Sequence, residues 1–393
     1  MICRLIVVCN ALDDKTREER GIFSDSPAAT HKILAMCHAI RSSNARPFIV
    51  SLGRGNYDCS MKYYSSHVRR IDGIPIIYLP FLKIPILSEL LSLVAPVAVF
   101  IRFYKRKGVR ATIFYNRLAA YFFALITSVL LKFRTFLDLE DGEVLKSHNF
   151  ILRIASSFKR KVFDLACSDG SLLACSSLRR MTSIRPVACY YGCVPTSSSD
   201  VNWGARQFRV LFSGTISRDT GSLILQEAIA RLRADNLTWT RQIVIEISGK
   251  GDEYASFSKF SETPGFPAVV LHGRLTDSQY QELVSSCHVG LALKPIDGPL
   301  ADTTFPSKVV EFAGLGLLVL TTEISDVKAV LSESGALFLN KNDPDELIKL
   351  LEWIVLNRRD SSLIAKAGRK SVIQKCSLES ASNLLITFLF HSE

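Results

Sequence analysis

Apolar and polar positions divide the chain into short strand-like runs separated by helix-like ones. In the first half, Leu5–Cys9, Pro47–Leu52, Ile74–Leu79, Ala111–Tyr115 and Phe133–Leu139 read as buried strands. Ala28–Arg41, AATHKILAMCHAIR, carries apolar residues at helical spacing. Ala166–Ser168 and Val187–Tyr191 read as the strands that close this half. The stretch CVPTSSSDVNWGARQ, Cys193–Gln207, has no periodicity and reads as a linker. The alternation then restarts. Strands are expected at Phe208–Phe212, Ile243–Ser248, Ala268–His272, Val289–Leu293 and Leu317–Thr321. Helices are expected at Gly221–Arg233, Ser278–Cys287, Lys308–Ala313, Val327–Ser332 and Asp343–Val355.

Strands separated by single helices predict βαβ units and parallel sheets. The fold class is therefore α/β. Two Rossmann-like doubly wound domains, residues 1–195 and 206–375, are expected to face a cleft, with ligands at the carboxyl ends of the strands. A terminal segment, 376–393, contains the helical run Leu378–Phe390, long enough to pack back on the first domain.

Two further runs, Ile84–Phe103 and Leu118–Phe133, are long and apolar. The first contains Glu89, two prolines and Arg102, so both read as buried or interfacial helices rather than spans. The amino terminus, MICRLIVVCN followed by DDKTREER, reads as a first strand and not as a signal peptide.

Hydrophobic content of 48% and charged content of 22% are those of a folded globular chain. The net charge of +11 implies an anionic partner. Tyr104-Lys105-Arg106-Lys107 follows the first apolar run, which suits an anionic membrane surface. No nucleic acid is expected, because the aromatics lie in apolar strands and not on a basic face. The ten cysteines include no CxxC pair, so free thiols in a reducing compartment are expected, with no metal site.

The candidate chemistry concentrates in FPSKVVEFAGLGLLVLTTE, Phe305–Glu323. Pro306 suits a first helical position, and Gly316 suits the helix end. Ser307, Lys308 and Glu311 lie on one helix face. A helix start fed by a strand favours an anion, to which Ser307 adds a hydroxyl and Lys308 a charge. An ionised glutamate one turn later suits the two hydroxyls of a ribose. A capped helix with a solvated ion pair accounts for the same residues.

The second half resembles the donor domain of GT-B glycosyltransferases, closest to glycosyltransferase family 4. RVLFSGTISRDTGSLILQEAIARL resembles that family's strand, glycine loop and helix, and IVIEISGKGDEY its second strand ending in G-x-G. VVLHGRLTDSQYQELVSSCHVGLALKP resembles its "G-x-[LV]-s-x-x-x-[LY]… a-D-v-x-l-x-P" segment. FPSKVVEFAGLGLLVL resembles "P-S-K-x-x-E-[YF]-x-x-x-G-x-P-V", the most specific of the four. FYNR, Phe114–Arg117, and FLDLEDGE, Phe136–Glu143, resemble a bacterial polysaccharide branch.

The resemblance implies a retaining transferase that moves a sugar from a UDP- or GDP-linked donor to a glycan or lipid-linked acceptor. It would be cytoplasmic and peripheral on the inner membrane face. No cofactor is implied, since the nucleotide sugar is a substrate. Donor-binding candidates are Gly214, Thr215, Arg218, Gly249, Arg274, Lys294, Ser307, Lys308 and Glu311. Catalytic and acceptor-side candidates are His31, Asn116 and Asp141, beside Asp138 and Glu140; Asn116 equally suits a helix N-cap. Three positions depart from the family pattern. Thr303 stands where the first glutamate of E-x7-E would fall, and Thr215 and Thr220 stand where a loop Arg and Lys would. Arg218, Lys308, Arg274 or Lys294 would then supply the charge. A nucleotide-sugar 2-epimerase, or a non-catalytic membrane-bound partner of a transferase, are the alternatives.

Overall fold

A computed structural model gives the fold and describes residues 3–25, 27–43, 45–57, 62–142, 150–194, 201–298 and 300–391. The chain divides into two compact units, Met1–Cys193 with Leu378–Glu393, and Val194–Ser377. Positions 195–200 of the expected linker, Cys59 and Glu143 lie outside the described residues.

The first unit is built on an eight-stranded sheet. Its strands are β1 (Cys3–Cys9), β2 (Arg46–Ser51), β3 (His67–Ile71), β4 (Ile74–Tyr78), β5 (Val109–Tyr115), β6 (Arg134–Leu139), β7 (Gly170–Leu173) and β8 (Val187–Cys189). The order is β8-β7-β6-β5-β1-β2-β4-β3, parallel throughout except for β3 against β4. Leu5 to Cys9 of β1 are all buried, as a central parallel strand covered on both faces requires.

Helices α1 (Pro27–Ser42), α2 (Pro85–Tyr104), α3 (Phe122–Leu130) and α4 (Phe150–Ala166) link these strands. The crossover through α1 runs one way from β1, and that through α2 runs back past β1 to β5. Right-handed crossovers therefore place α1 on one face and α2, α3 and α4 on the other. The strand order reverses between β1 and β5, which makes that point the crevice of this sheet.

The second unit is a six-stranded parallel sheet. Its strands are β9 (Phe208–Thr215), β10 (Ile243–Lys250), β11 (Ala268–Gly273), β12 (Val289–Ala292), β13 (Leu318–Thr322) and β14 (Leu337–Leu339). The order β11-β10-β9-β12-β13-β14 reverses between β9 and β12. Its helices include α5 (Ser222–Asp235), α6 (Asp277–Ser285), α7 (Lys308–Gly314), α8 (Pro344–Leu356) and α9 (Arg358–Cys376). Phe212, Leu225, Ile245, Leu291, Leu320 and Leu351 share one core. The last helix, α10 (Leu378–Ile386), joins the first unit. Its Leu385, with Phe388, packs into the core of Met36 and Ile40, and Phe388 lies 5.5 Å from Phe136.

Several expectations need correction. Ala166 ends helix α4, and the strand begins at Gly170 rather than in Ala166–Ser168. Helix α7 begins at Lys308, so Pro306 lies two residues outside it. The run Leu118–Phe133 is a 3-10 turn, Ala119–Tyr121, followed by the nine-residue α3. The 19-residue helix α9 carries no sequence signal, for a physical reason. Its buried positions are Ser361, Ala365, Gly368, Val372 and Cys376, a helical stripe of mostly small residues with no large apolar ones.

Candidate active site

In the second unit, four strand ends meet around the crevice between β9 and β12. Two glycines make this approach feasible. A Cβ on Gly249 would stand 1.9 Å from the Gly214 carbonyl oxygen, and one on Gly221 2.0 Å from that of Leu293. Both have positive φ, so a side chain would be strained as well as blocked. Between them the loop after β9 folds on itself. The Thr220 hydroxyl donates to the Thr215 carbonyl at 2.7 Å and accepts from the Ser217 amide at 3.1 Å. Thr220, at a departing position, thus braces the loop.

Lys308, from the first turn of α7, crosses this loop. Its Cε lies 3.7 Å from where a Gly214 Cβ would be. Its Nζ donates to Glu311 Oε2 and to the Tyr280 hydroxyl, each at 2.8 Å, and sits 4.6 Å from the Tyr280 ring centre. Tyr280 in turn bonds Ser213 Oγ at 2.9 Å. The ion pair of the plainer reading is therefore present. Lys308 is nonetheless not solvated, with only 26% of its side chain exposed.

Burial acts to lower the Lys308 pKa, but Glu311 and Tyr280 outweigh it and hold the ammonium firmly charged. Burial, with Glu311 nearby, pushes the Tyr280 phenol up to about 12, against the opposing pull of Lys308. Tyr280 is therefore a neutral donor near pH 7. The result is a fixed cation beside a glycine loop, the arrangement suited to a developing diphosphate.

The other donor-side candidates spread around this centre. Lys294 follows β12, where its Nζ donates to Thr304 Oγ1 at 3.1 Å. Ser307 is exposed and makes no side-chain cap bond to α7. Arg218 stands at the loop rim, 73% exposed, and pairs with Glu253 at 2.8 Å. Arg274 follows β11, half-buried. Its neighbour His272 is drawn away to buried Glu246, at 2.7 Å, and takes no part. Sequence reasoning missed Tyr280; its signal was its match to the [LY] position of the third segment.

In the first unit, Asn116 follows β5 at the β1–β5 crevice. Its φ of +60° is left-handed, a conformation asparagine tolerates. Its Oδ1 accepts from the Glu140 amide at 2.9 Å, and its own amide bonds the Asp138 carbonyl at 2.7 Å. Asn116 is therefore not a helix N-cap; it locks the ends of β5 and β6 together. Asp138 is fully buried, which raises its pKa against the opposing pull of Lys32. Lys32 Nζ lies 3.1 Å from Asp138 Oδ1 and also pairs with Glu140. Asp141 is exposed just beyond. His31 is exposed on α1, one residue before Lys32, which faces inward. Lys32 is the residue that sequence reasoning missed here. It lies one turn before buried Met36, a position on the inner face of α1.

Residues 207–357 match the sequence profile of the family described as Glycosyl transferases group 1. Among solved structures, HepE from Anabaena in complex with UDP aligns with a TM-score of 0.64 and 14% identity, over 97% of this chain and 98% of its own. Sucrose-phosphate synthase from Thermosynechococcus elongatus aligns at 0.65 and 13% identity, over 97% of each chain. A glycosyltransferase from Rickettsia africae aligns at 0.64 and 13%, over 100% of each. No curated protein sequence matches the chain significantly. These likenesses establish the GT-B fold.

Proposed function

We propose that this chain, a nucleotide-sugar glycosyltransferase of the GT-B fold, transfers a hexose with retention from a UDP- or GDP-linked donor to a lipid-linked or growing bacterial surface glycan. The observation that carries the reading is the Lys308 centre. The P-S-K-x-x-E segment and the first glycine loop, about ninety residues apart in sequence, converge on one ammonium at the sheet's switch point. In this reading the donor diphosphate lies against Gly214, Thr215 and Lys308. Lys294, Arg274, Arg218 and Ser307 supply further donors, and Glu311 receives the ribose hydroxyls. Lys308 and its neighbours stabilise the leaving diphosphate electrostatically, by charge already in place before the bond breaks. No metal ligand set is invoked, and among the described residues no group of three His, Cys, Asp or Glu is placed to hold an ion.

On the first unit, Asn116, Asp141 and His31 border the acceptor. The related fold of HepE, held with UDP and with UDP-glucose, makes UDP the first nucleotide to test. Calorimetry with UDP, GDP, ADP and CMP reads the donor base directly. Glu311→Ala is expected to raise the donor KM by at least roughly tenfold, since it removes a charged acceptor, and to leave the acceptor KM unchanged. Donor kinetics like those of the wild type would remove Glu311 from the site. Release of a free epimer from UDP-sugar without acceptor would replace transfer with epimerisation.

A further inference from the structure

The apolar helices of the first unit bury one apolar side and expose another. On α2, the outward positions Leu87, Leu90, Val94, Ala98 and Ile101 recur at helical spacing and are exposed, Val94 by 61%. The inward positions include Ser88 and Ser92, which are buried. Phe100 and Phe103 are buried on the inward side as well, so both sides of α2 are apolar and the outward one lacks the polar face of an ordinary surface helix. Helix α3 likewise has no polar outer face: Phe123, Ile126, Val129 and Leu130 face out, while Ala124, Leu125 and Ser128 face in. On the neighbouring α4, Ile154, Phe158 and Leu165 are exposed along one stripe.

Within α2, Ile86–Tyr104 has the length and hydropathy of a membrane span, yet only 28% of this apolar stretch is buried inside the protein. It is not a span, because its inward side is part of the core. Phe100 stacks on Phe114 at 6.5 Å and packs on Phe133 at 5.7 Å. One side is covered by protein, and the other requires a different covering.

The charges around this face decide what covers it. Arg102, Lys105, Arg106 and Lys107 stand exposed at the carboxyl end of α2, and Arg153, Arg160 and Lys161 on α4. Helix α3 carries no charge. Glu89 of α2 is held by Arg54 at 2.7 Å. A second copy docked face to face about a two-fold axis would bring one cationic rim towards another, which is unfavourable. An apolar centre with a cationic rim complements an anionic bilayer surface.

We propose that the outward face of α2, α3 and α4 is a docking surface for the anionic leaflet of a membrane, with the helices lying in the interface. The surface reaches the working edge of the sheet. Arg54, bonded to Ser92 and paired with Glu89 on α2, is also tied to Asn10 at the end of β1, by the Asn10 amide to the Arg54 carbonyl at 2.7 Å. The amino-terminal half of the apolar face therefore borders the β1–β5 crevice. A lipid-linked acceptor anchored in the leaflet presents its head group there. In naming the acceptor's anchor, this inference rests on the transferase reading; the docking surface itself does not.

The test is flotation of the full chain with phosphatidylcholine vesicles, with and without phosphatidylglycerol, at low and high salt. Binding is expected only with phosphatidylglycerol and should weaken as salt rises. Leu90→Gln/Val94→Gln/Ile101→Gln, all exposed positions, is expected to weaken it on the order of 100-fold. Lys105→Glu/Lys107→Glu is expected to weaken it by about 25-fold or more, at about fivefold or more per reversed charge. UDP affinity by calorimetry should be unchanged in both variants. Absence of wild-type vesicle binding overturns the docking surface, as do variants that bind like the wild type. A wild-type dimer that the triple glutamine variant dissolves without altering vesicle binding assigns the face to a second copy and also overturns it. Vesicle binding without UDP binding upholds the surface and removes the transferase reading alone.

Discussion

The two switch-point edges of this molecule are made from the same parallel-sheet geometry but held by opposite means. In the second unit, glycines draw strand ends together and one lysine lies across them, lodged between Tyr280 and Glu311. The side chain is 26% exposed, and its Cε lies beside Gly214 of the glycine loop. In the first unit, Lys32 is turned in upon Asp138 and Glu140, and Asn116 closes the join. There the charge is spent on holding the edge in shape. Under the proposed function, the difference teaches that a lysine's neighbours, not its presence at a strand edge, decide whether it serves a ligand or the fold.

Removing each lysine tests that contrast. The largest effect is expected for Lys308→Met, which deletes the charge that the donor diphosphate would face under the proposed function. kcat/KM should fall by about 10³-fold, or about 4 kcal/mol, the upper range for one preorganised donor, in an assay of nucleotide release. The melting temperature should move little by comparison. If Lys308→Met unfolds the second unit instead, the two lysines are alike and the contrast is lost.

Lys32→Met should behave the other way. It leaves two carboxylates at the edge without their cation, at a cost of about 3 kcal/mol of stability in the first unit. UDP affinity in the second unit should stay as it was. A stable Lys32→Met protein with abolished transfer would place Lys32 in the chemistry rather than in the scaffold.

How far the sequence could be read follows the same division. The central strands of both sheets were legible, because buried parallel strands are continuous apolar runs; the outer strands His67–Ile71, Gly170–Leu173 and Leu337–Leu339 were not. Helix α9 was not, since it packs through Gly368 and Ala365 rather than through leucines. Helix α4 was missed because its apolar residues divide between two sides: Phe163 is buried, while Ile154, Phe158 and Leu165 face outward. At the donor edge, Ser307, Lys308 and Glu311 share one helix face at fixed spacing, so their grouping was visible along the chain. Tyr280 enters from another helix, and only the folded chain shows it against Lys308. Lys32 and Asp138 are over a hundred residues apart, and nothing in the local pattern pairs them.

Tyr280→Phe sharpens the account of the donor edge. The ring contact with Lys308 is kept, and the hydroxyl bonds to Lys308 and Ser213 are lost. The expected loss in kcat/KM is roughly tenfold, as for one hydrogen bond to a charged group, with the pH profile otherwise unchanged. A loss matching that of Lys308→Met would make the hydroxyl, not the ammonium, the main support of the leaving group.

The smallest effect separates the units by pH. Each contains a histidine with a lowered pKa: His67 in the first and His288 in the second. Burial is the main cause for His288, and Arg358 and Arg209 add to it against a backbone bond to Asn202. Its Nδ1 accepts from the Arg209 amide at 3.2 Å, and Nε2 lies 3.0 Å from the Asn202 carbonyl, so the neutral ring satisfies both partners. Protonation would remove the acceptor. Because the folded pKa is depressed, the neutral ring's contribution is complete above the usual histidine value of about 6.5. It is lost as pH falls through the lower folded value. His288→Gln keeps an acceptor and a donor without titrating. Thermal unfolding from pH 7 downward should therefore decline less steeply in this variant, and only in the transition belonging to the second unit. An equal decline in wild type and variant would remove His288 from the acid sensitivity of the second unit.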